Sequence, residues 1–231
     1  MLRTGANGLL VVLTAGLFHL AGTHTTALDL VPVAADGTSL NVSRYEVTVA
    51  EWDACVAAGA CEDIAARVAD PRTTPMTGVN WFDVDAYITW YNGKHGRKLR
   101  LPTATEWRAI SGIAEPAPQK PLFDDPRLAW AANYGQEETP GGPVRPQGAW
   151  SRSKDGVRDL DGNVWEWTSS CMDSQQAGVT ADRCPAFKAM GAHTATVSVF
   201  VRNPAAGGCS SGKPPTHIGF RLVEDMGEPQ S

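Results

Sequence analysis

The stretch 159-DLDGNVWEW-167 gathers acidic side chains, a glycine-asparagine pair and two tryptophans in one short segment. Gly162 and Asn163 predict a tight turn, because both residues tolerate backbone angles that a β-carbon denies to most others. The Val-Trp-Glu-Trp run that comes next alternates like a short strand, with Val164 and Glu166 on one face. Carboxylate and carbonyl oxygens gathered at such a turn suit calcium. The alternative is a solvated turn before a core strand with buried tryptophans.

The composition indicates one loop-rich domain. The chain has 231 residues, of which 42% are hydrophobic, so it can form one substantial core. Eight tryptophans, 23 glycines and 16 prolines favour many short elements over a helical bundle. The net charge is −5 and no run of lysine or arginine occurs, which argues against nucleic-acid binding.

The first 27 residues have the pattern of a secretory signal, with Arg3 ahead of the apolar run Gly8–Leu20 and small residues before the predicted cleavage point. The apolar run is too short to span a bilayer comfortably, so we expect no stable membrane association after cleavage, although an uncleaved anchor is the alternative. The sequence therefore predicts a periplasmic or secreted protein. Residues 28–223 would form the domain, and residues 224–231 a flexible tail.

All five cysteines lie after the predicted signal, which agrees with an oxidising compartment. The short spacings favour two local disulfides, Cys55 with Cys61 and Cys171 with Cys184. Neither spacing is typical of a zinc site. Cys209 is then left over, either as a buried inert thiol or as a reactive or metal-binding one.

Three segments predict helices, because apolar residues recur at helical spacing or a capping residue precedes them. The third has Glu106 three residues after the cap Thr103, which completes a capping box. The predicted helices run over Val49–Ala58, from near Asp83 to about Asn92, and from Thr103 to the closing Gly112. Residues 114–157 predict a long loop, and Ile218–Val223 a C-terminal strand.

Several separated motifs occur in an order that resembles one known family. They are Tyr45-Glu46-Val47-Thr48, Val79-Asn80-Trp81, Arg100-Leu101-Pro102-Thr103 with Glu106-Trp107, the block 162–167, and Gly219-Phe220-Arg221. Together they resemble the formylglycine-generating enzyme (sulfatase-modifying factor) domain over about residues 42–223. The resemblance implies an α+β fold of the C-type-lectin-like variety with much irregular structure.

The resemblance also implies calcium. The family's ligands for one calcium ion correspond to the side chains of Asp159 and Glu166 and the carbonyls of Gly162 and Val164. A second calcium site corresponds to Asn133 with the Tyr134 carbonyl. Its carboxylate partner falls in a shortened segment, so that Glu137 or Glu138 would have to replace it.

The catalytic segment departs from the family pattern. Formylglycine generators carry two cysteines that bind copper(I) as thiolates, the ligands that this ion prefers. The corresponding stretch here, residues 190–200, contains no cysteine, so copper oxidase chemistry is predicted to be absent. Size, signal and missing cysteines most resemble accessory proteins of periplasmic copper nitrite reductase. The predicted function is therefore an exported accessory or maturation role with a periplasmic protein partner.

Two alternatives remain open at this point. One is an oxidoreductase of the formylglycine-generating type acting on a protein or small molecule, and the other is a lectin-like ligand-binding module. His193, Cys209 and His217 could form a mixed imidazole-thiolate site for copper or zinc, or could be surface and packing residues. Arg221 could clamp a carboxylate or form a structural ion pair.

Overall fold

The computed structural model describes most of the chain beyond the predicted signal. Residues 1–26 of the predicted signal, the proposed second calcium site at Asn133 and Tyr134, and Cys209 lie outside the described residues. Within them, no helix is both long enough and apolar enough to cross a membrane. The described residues are 27–35, 37–113, 143–172, 182–206, 210–211 and 215–226.

Two sheets form the framework. The smaller has the antiparallel order β1-β2-β8, and the larger has the order β6-β5-β4-β3-β7. Only the β3–β7 pair of the larger sheet is parallel, with Glu166 opposite Gly219. The strands are β1 Leu30–Ala35, β2 Thr38–Ser43, β3 Trp165–Cys171, β4 Ala186–Met190, β5 Ala195–Ser198, β6 Ser210–Ser211, β7 Ile218–Gly219 and β8 Val223–Asp225.

The three predicted helices are present, and each begins with a capping box. The bounds are α1 Val49–Ala57, α2 Trp81–His95 and α3 Ala104–Ser111. The prediction was nearly right for α1 and right for α3, including its cap Thr103 and its closing Gly112. Helix α2 is longer than predicted, because it begins at Trp81 after the cap Asn80, two residues before Asp83, and Gly96 ends it in the left-handed conformation.

The core is built from aromatic residues of α1, α2 and the strand of the opening motif. The Trp52 ring stacks on Tyr87 at 5.8 Å between centroids, and Phe220 meets both rings edge-on. Trp167 is fully buried, and its indole N–H donates to the Val79 carbonyl at 2.9 Å. A smaller cluster around Trp107 packs α3 against the first sheet. Both faces of β3 are therefore buried.

Both predicted disulfides are confirmed. Cys55 is bonded to Cys61 and Cys171 to Cys184, with Cα–Cα distances of 5.3 and 5.8 Å. The first closes the turn after α1, and the second joins the end of β3 to the segment that enters β4. Cross-links of this kind stabilise a loop-rich chain mainly by restricting its unfolded state.

The C-terminal strand differs from the prediction. Ile218–Gly219 pairs with β3, whereas Val223–Asp225 pairs with β2, so the chain passes from one sheet to the other. The predicted tail therefore begins too early. Glu224 and Asp225 belong to β8, and they form ion pairs with Arg97 and Arg100. The α+β class is confirmed, while the C-type-lectin-like detail remains a prediction.

Two glycines offer a matched test of packing. A β-carbon at Gly219 would overlap the Met76 carbonyl oxygen, which is held in place because the Met76 N–H donates to Val47 at 2.7 Å. Gly219→Ala should lower the free energy of unfolding by roughly 2–3 kcal/mol.

At Gly93 in α2 a β-carbon meets nothing within 4 Å. Gly93→Ala should raise stability by about 0.5–1 kcal/mol, because alanine favours helix. Urea denaturation measures the free energy of unfolding of both variants. An equal change in the two would contradict the close packing of Gly219 against Met76.

Candidate functional site

A buried ion pair lies at the centre of the molecule. The guanidinium of Arg221 and the carboxylate of Glu166 are both completely buried. Two parallel bonds join them, from Nε to Oε2 and from Nη2 to Oε1, each at 2.6 Å. The register of β3 and β7 produces this contact, because Glu166 lies opposite Gly219 and Arg221 comes two residues later.

The remaining donors of Arg221 hold two other segments. Nη1 donates to the carbonyls of Ser43 and Arg44 at 3.1 and 3.2 Å, and Nη2 donates to the Arg158 carbonyl at 2.9 Å. The Trp107 indole N–H adds a bond of 2.7 Å to Glu166. Arg221 is therefore a structural ion-pair residue, as one of the two predicted alternatives had it, and its donors already have protein acceptors.

The turn before β3 is held by the loop at residues 145–151. The Asp159 carboxylate accepts the backbone N–H groups of Gly148 and Trp150. Asn163 bonds both the N–H and the carbonyl of Arg145, at 2.7 and 3.0 Å. These bonds hold the irregular loop against the motif, so the turn is not the solvated one that the sequence offered as an alternative.

Positive backbone angles fall on Asp159 and Asn163, with φ of 63° and 73°. Gly162 does not share this conformation. A β-carbon there would lie 3.0 Å from the ring of Trp150, so a larger residue would require this ring to shift. The turn was thus predicted correctly, but the residue that adopts the strained angle alongside Asn163 is Asp159.

The calcium prediction can be compared with these contacts. Both oxygens of Asp159 and of Glu166 face protein donors, and the Gly162 carbonyl accepts the Val164 N–H at 3.0 Å. A guanidinium in direct contact with Glu166 would also repel a divalent cation. In this arrangement Asp159, Glu166 and the Gly162 carbonyl thus already have protein donors, and calcium at Asp159, Gly162, Val164 and Glu166 stays a prediction.

Glu46 is the residue of this region whose role the sequence did not reveal. It is 1% exposed, and within the described part of the chain neither carboxylate oxygen has a hydrogen-bond partner. Its nearest cation is Arg221, at 4.0 Å. Burial raises the pKa of Glu46 to about 8; the charge of Arg221 opposes this shift, and the charges of Glu166 and Asp159 add to it. The sequence signal that could have identified Glu46 is its place between Tyr45 and Val47, where an acidic residue falls in a segment that contributes to the core.

Two cavities adjoin this framework. One, of about 270 Å³, is lined by Leu28, Tyr45, Glu46, Ala50 and Glu51 among others. The other, of about 520 Å³, lies between residues 66–77, residues 143–146 and His217, and most of its lining is apolar. Each cavity is large enough for a small group. The first is of greater interest, because Glu46, which lacks a hydrogen-bond partner, is among its lining residues.

The histidines of the predicted cleft both lie beside Trp165. The Trp165 indole N–H donates to the His193 carbonyl at 3.0 Å, and its backbone N–H donates to the His217 carbonyl at 2.9 Å. The rings of Trp165 and His193 are 4.9 Å apart. Among the residues that the structure describes, no group of three or more His, Cys, Asp or Glu side chains could hold a metal ion. With Cys209 outside this set, a mixed thiolate site stays a prediction.

An exposed aromatic pair lies at the end of the stretch that corresponds to the catalytic segment. Phe200 is 73% exposed, and its ring lies 5.4 Å from that of Phe82, at the start of α2. Arg202 holds the two segments together through two bonds of 2.7 Å to Asp83. The pair is therefore an exposed apolar feature next to a bonded junction of the two segments.

Comparison with protein families identifies this arrangement. The family model described as "Sulfatase-modifying factor enzyme 1-like domain" matches residues 4–226. This range includes both sheets, all three helices and the Glu166–Arg221 pair.

Curated relatives match part of the chain. A hercynine oxygenase of Mycolicibacterium thermoresistibile is 34% identical over 106 residues, which are 43% of this chain and 22% of that protein. The inactive C-alpha-formylglycine-generating enzyme 2 of Bos taurus is 34% identical over 110 residues, 42% of this chain and 33% of that protein. The formylglycine-generating enzyme of Thermomonospora curvata is 31% identical over 147 residues, 54% of this chain and 42% of that protein. The matches thus span less than half of each relative.

A solved structure shares the fold. PvdO from Pseudomonas aeruginosa superimposes with a TM-score of 0.54 over 87% of this chain and 92% of that chain, at 16% sequence identity. At that identity the likeness concerns the fold alone.

Glu46 gives the protein a specific pH dependence. Its folded pKa of about 8 lies above the ordinary value of 4.5, so the folded state keeps a proton that the unfolded state loses. The stabilisation that protonated Glu46 gives the folded state is complete below the ordinary pKa of 4.5. It is lost as the pH rises through about 8. Between about pH 5 and pH 8 the loss should be on the order of 3 kcal/mol. Glu46→Gln should remove this loss, so that the variant is more stable than the wild type at pH 8. Urea denaturation across this range, with the exposed Asp63→Asn as control, tests this, and an unchanged slope in Glu46→Gln would contradict it.

Proposed function

Because its family model matches residues 4–226, the chain belongs to the Sulfatase-modifying factor enzyme 1-like domain family, and on that premise we propose that it is an accessory or maturation protein without copper oxidase chemistry. The family includes proteins named as oxygenase and formylglycine-generating enzyme and one named as inactive. Family membership alone therefore does not decide whether this chain is an enzyme, so its cysteines have to decide it.

The cysteine inventory carries the proposal. The chain has five cysteines, and four of them form the two disulfides in the described structure. A copper(I) centre with two thiolate ligands needs a second free cysteine beside Cys209. The chain cannot supply it while both disulfides are intact. The disulfides also support the proposed export, because such bonds persist in oxidising compartments.

The corresponding catalytic stretch has a different construction. Gly191 packs against the Trp165 ring so tightly that a β-carbon would lie 2.9 Å from it. The stretch then forms β5, which pairs with β4 and β6, and ends at the exposed Phe200. The end of this stretch therefore presents an exposed aromatic side chain. Aromatic side chains are enriched where protein partners bind, so this surface supports an accessory role.

We extend the proposal to the partner. A periplasmic copper nitrite reductase is the specific partner that the size, the predicted signal and the missing cysteines favour. The Phe82–Phe200 pair would contact it, because it is exposed apolar surface beside the segment that the Arg202–Asp83 bonds hold against α2.

The copper proposal is tested by counting thiols and by assay. Unreduced denatured protein should show one reactive thiol, from Cys209, and none in Cys209→Ser. With copper(I), oxygen and a peptide carrying a sulfatase-type cysteine motif, neither protein should convert the peptide cysteine to the aldehyde, whereas the Thermomonospora curvata enzyme serves as the positive control. Mass spectrometry of the peptide reads the outcome. Conversion that Cys209→Ser abolishes would overturn the proposal and restore the oxidoreductase alternative.

The partner proposal is tested by direct binding. Purified copper nitrite reductase should bind the immobilised chain, and Phe200→Ser should raise the Kd by roughly tenfold, as loss of a central aromatic contact does. Met226→Ser serves as the control, because Met226 is another exposed apolar side chain, at the end of β8. Absence of binding, or equal weakening by both substitutions, would count against this partner and this surface.

A further inference from the structure

A short hairpin at residues 152–158 contains more positive than negative charge. The Ser153 N–H donates to the Val157 carbonyl at 2.8 Å, and the Gly156 N–H closes the turn on the Ser153 carbonyl at 3.1 Å. An excess of positive charge is thus concentrated here, on a chain whose net charge is −5. The charged side chains of the hairpin and of the ion pair that touches it are the cations Arg44, Arg152, Lys154 and Arg158 and the carboxylates Asp29 and Asp155.

Two arginines lie directly opposite each other on this hairpin. Arg152 and Arg158 form an isolated antiparallel bridge, which places their side chains on the same face. Like charges in such a pair repel each other and lower stability. Within the part of the chain that the structure describes, neither guanidinium has a hydrogen bond or an ion pair, with Asp155 or with any other group. Folding alone therefore does not explain why both positions are arginine.

Arg44 brings a further guanidinium to the same turn. Its Nε atom donates to Asp29 at 2.6 Å, and its Nη1 atom donates to the Gly156 carbonyl at 3.2 Å. A β-carbon at Gly156 would lie 3.0 Å from Nη1 of Arg44 and 3.9 Å from Nη2 of Arg152, so the two guanidinium groups are neighbours above this glycine. Asp29 neutralises Arg44, whereas the charge of Arg152 is not compensated.

The backbone of the hairpin is held by the rest of the fold. The Arg158 N–H donates to the Arg44 carbonyl at 2.9 Å, and the Arg158 carbonyl accepts Nη2 of the buried Arg221 at 2.9 Å. The side chain of Arg152 is exposed, and those of Arg44 and Arg158 are half-buried. The cations therefore extend toward solvent from a backbone that binding would not have to order, which lowers the cost of binding.

These contacts favour an anion with two negative charges. A guanidinium binds an oxyanion through two parallel N–H groups, and a phosphate has enough oxygens for two guanidiniums at once. A single carboxylate would neutralise only one of the unpaired cations. We propose that Arg152, with Arg44 and Arg158 beside it, binds a phosphate dianion above Gly156. The proposal does not depend on the accessory function proposed above.

Two sources could supply this dianion, namely free inorganic phosphate and a small phosphomonoester. Both present the same charged oxygens to the arginines. They differ in the organic group of the ester, which must find room beside the hairpin.

Titration of the full chain with inorganic phosphate, followed by the amide NMR signals of the hairpin, tests the chemistry. We expect a Kd of about 1–10 mM at low ionic strength and pH 8, because the site is open to solvent and to screening by salt. Acetate, a monoanion, should bind at least about fivefold more weakly. Glycerol 3-phosphate distinguishes the sources: tighter binding than inorganic phosphate assigns an ester, and weaker binding assigns the free ion.

Matched variants separate binding from folding. Arg152→Gln should weaken phosphate binding at least about fivefold, and Arg152→Lys, which keeps the charge without the planar fork, should give an intermediate Kd. Arg67→Gln, which removes an exposed arginine outside the hairpin, should leave the Kd unchanged within about twofold. The urea midpoint of Arg152→Gln should not fall, because the substitution removes a like-charge contact. Equal binding of acetate and phosphate, or equal phosphate affinity of the wild type and Arg152→Gln, would overturn the proposal.

Discussion

A single guanidinium determines how the parts of this protein meet. Arg221 is completely buried, and its bonds reach Glu166, the end of β2 and the Arg158 loop. A charge of this kind is tolerated in a core only when its donors are satisfied, so each of these segments must be in place together. The irregular loops of the fold are therefore ordered by polar contacts with Arg221 as much as by the aromatic core beside it.

The features that the sequence predicted are the local ones. Thr103 and Glu106 lie three residues apart, and their capping box depends on nothing else in the chain. The disulfide of Cys55 and Cys61 likewise closes a short turn, so spacing was enough to identify it. The helices and the disulfides could be predicted for this reason, whereas the α+β class came from the family resemblance.

The site could not be predicted in the same way. The Glu166 carboxylate looked available for calcium because its partner Arg221 lies 55 residues further along the chain. Asp159 similarly meets donors from a loop that shows no periodicity. The resemblance to a family supplied the ligand positions but not these contacts, which arise only when the two sheets and the loop have assembled.

The charges around Arg221 leave one group in excess. Glu166 has the bidentate contact and Asp159 has backbone donors, but Glu46 has neither and remains 4.0 Å from the guanidinium. Replacing such a carboxylate with an apolar residue would be expected to stabilise a core whose only requirement was to fold. Perturbed and unpartnered acids occur more often where a protein binds or transforms something. Glu46, which lies beside a cavity and whose pKa burial raises to about 8, is therefore the acid near Arg221 that folding of this core does not explain.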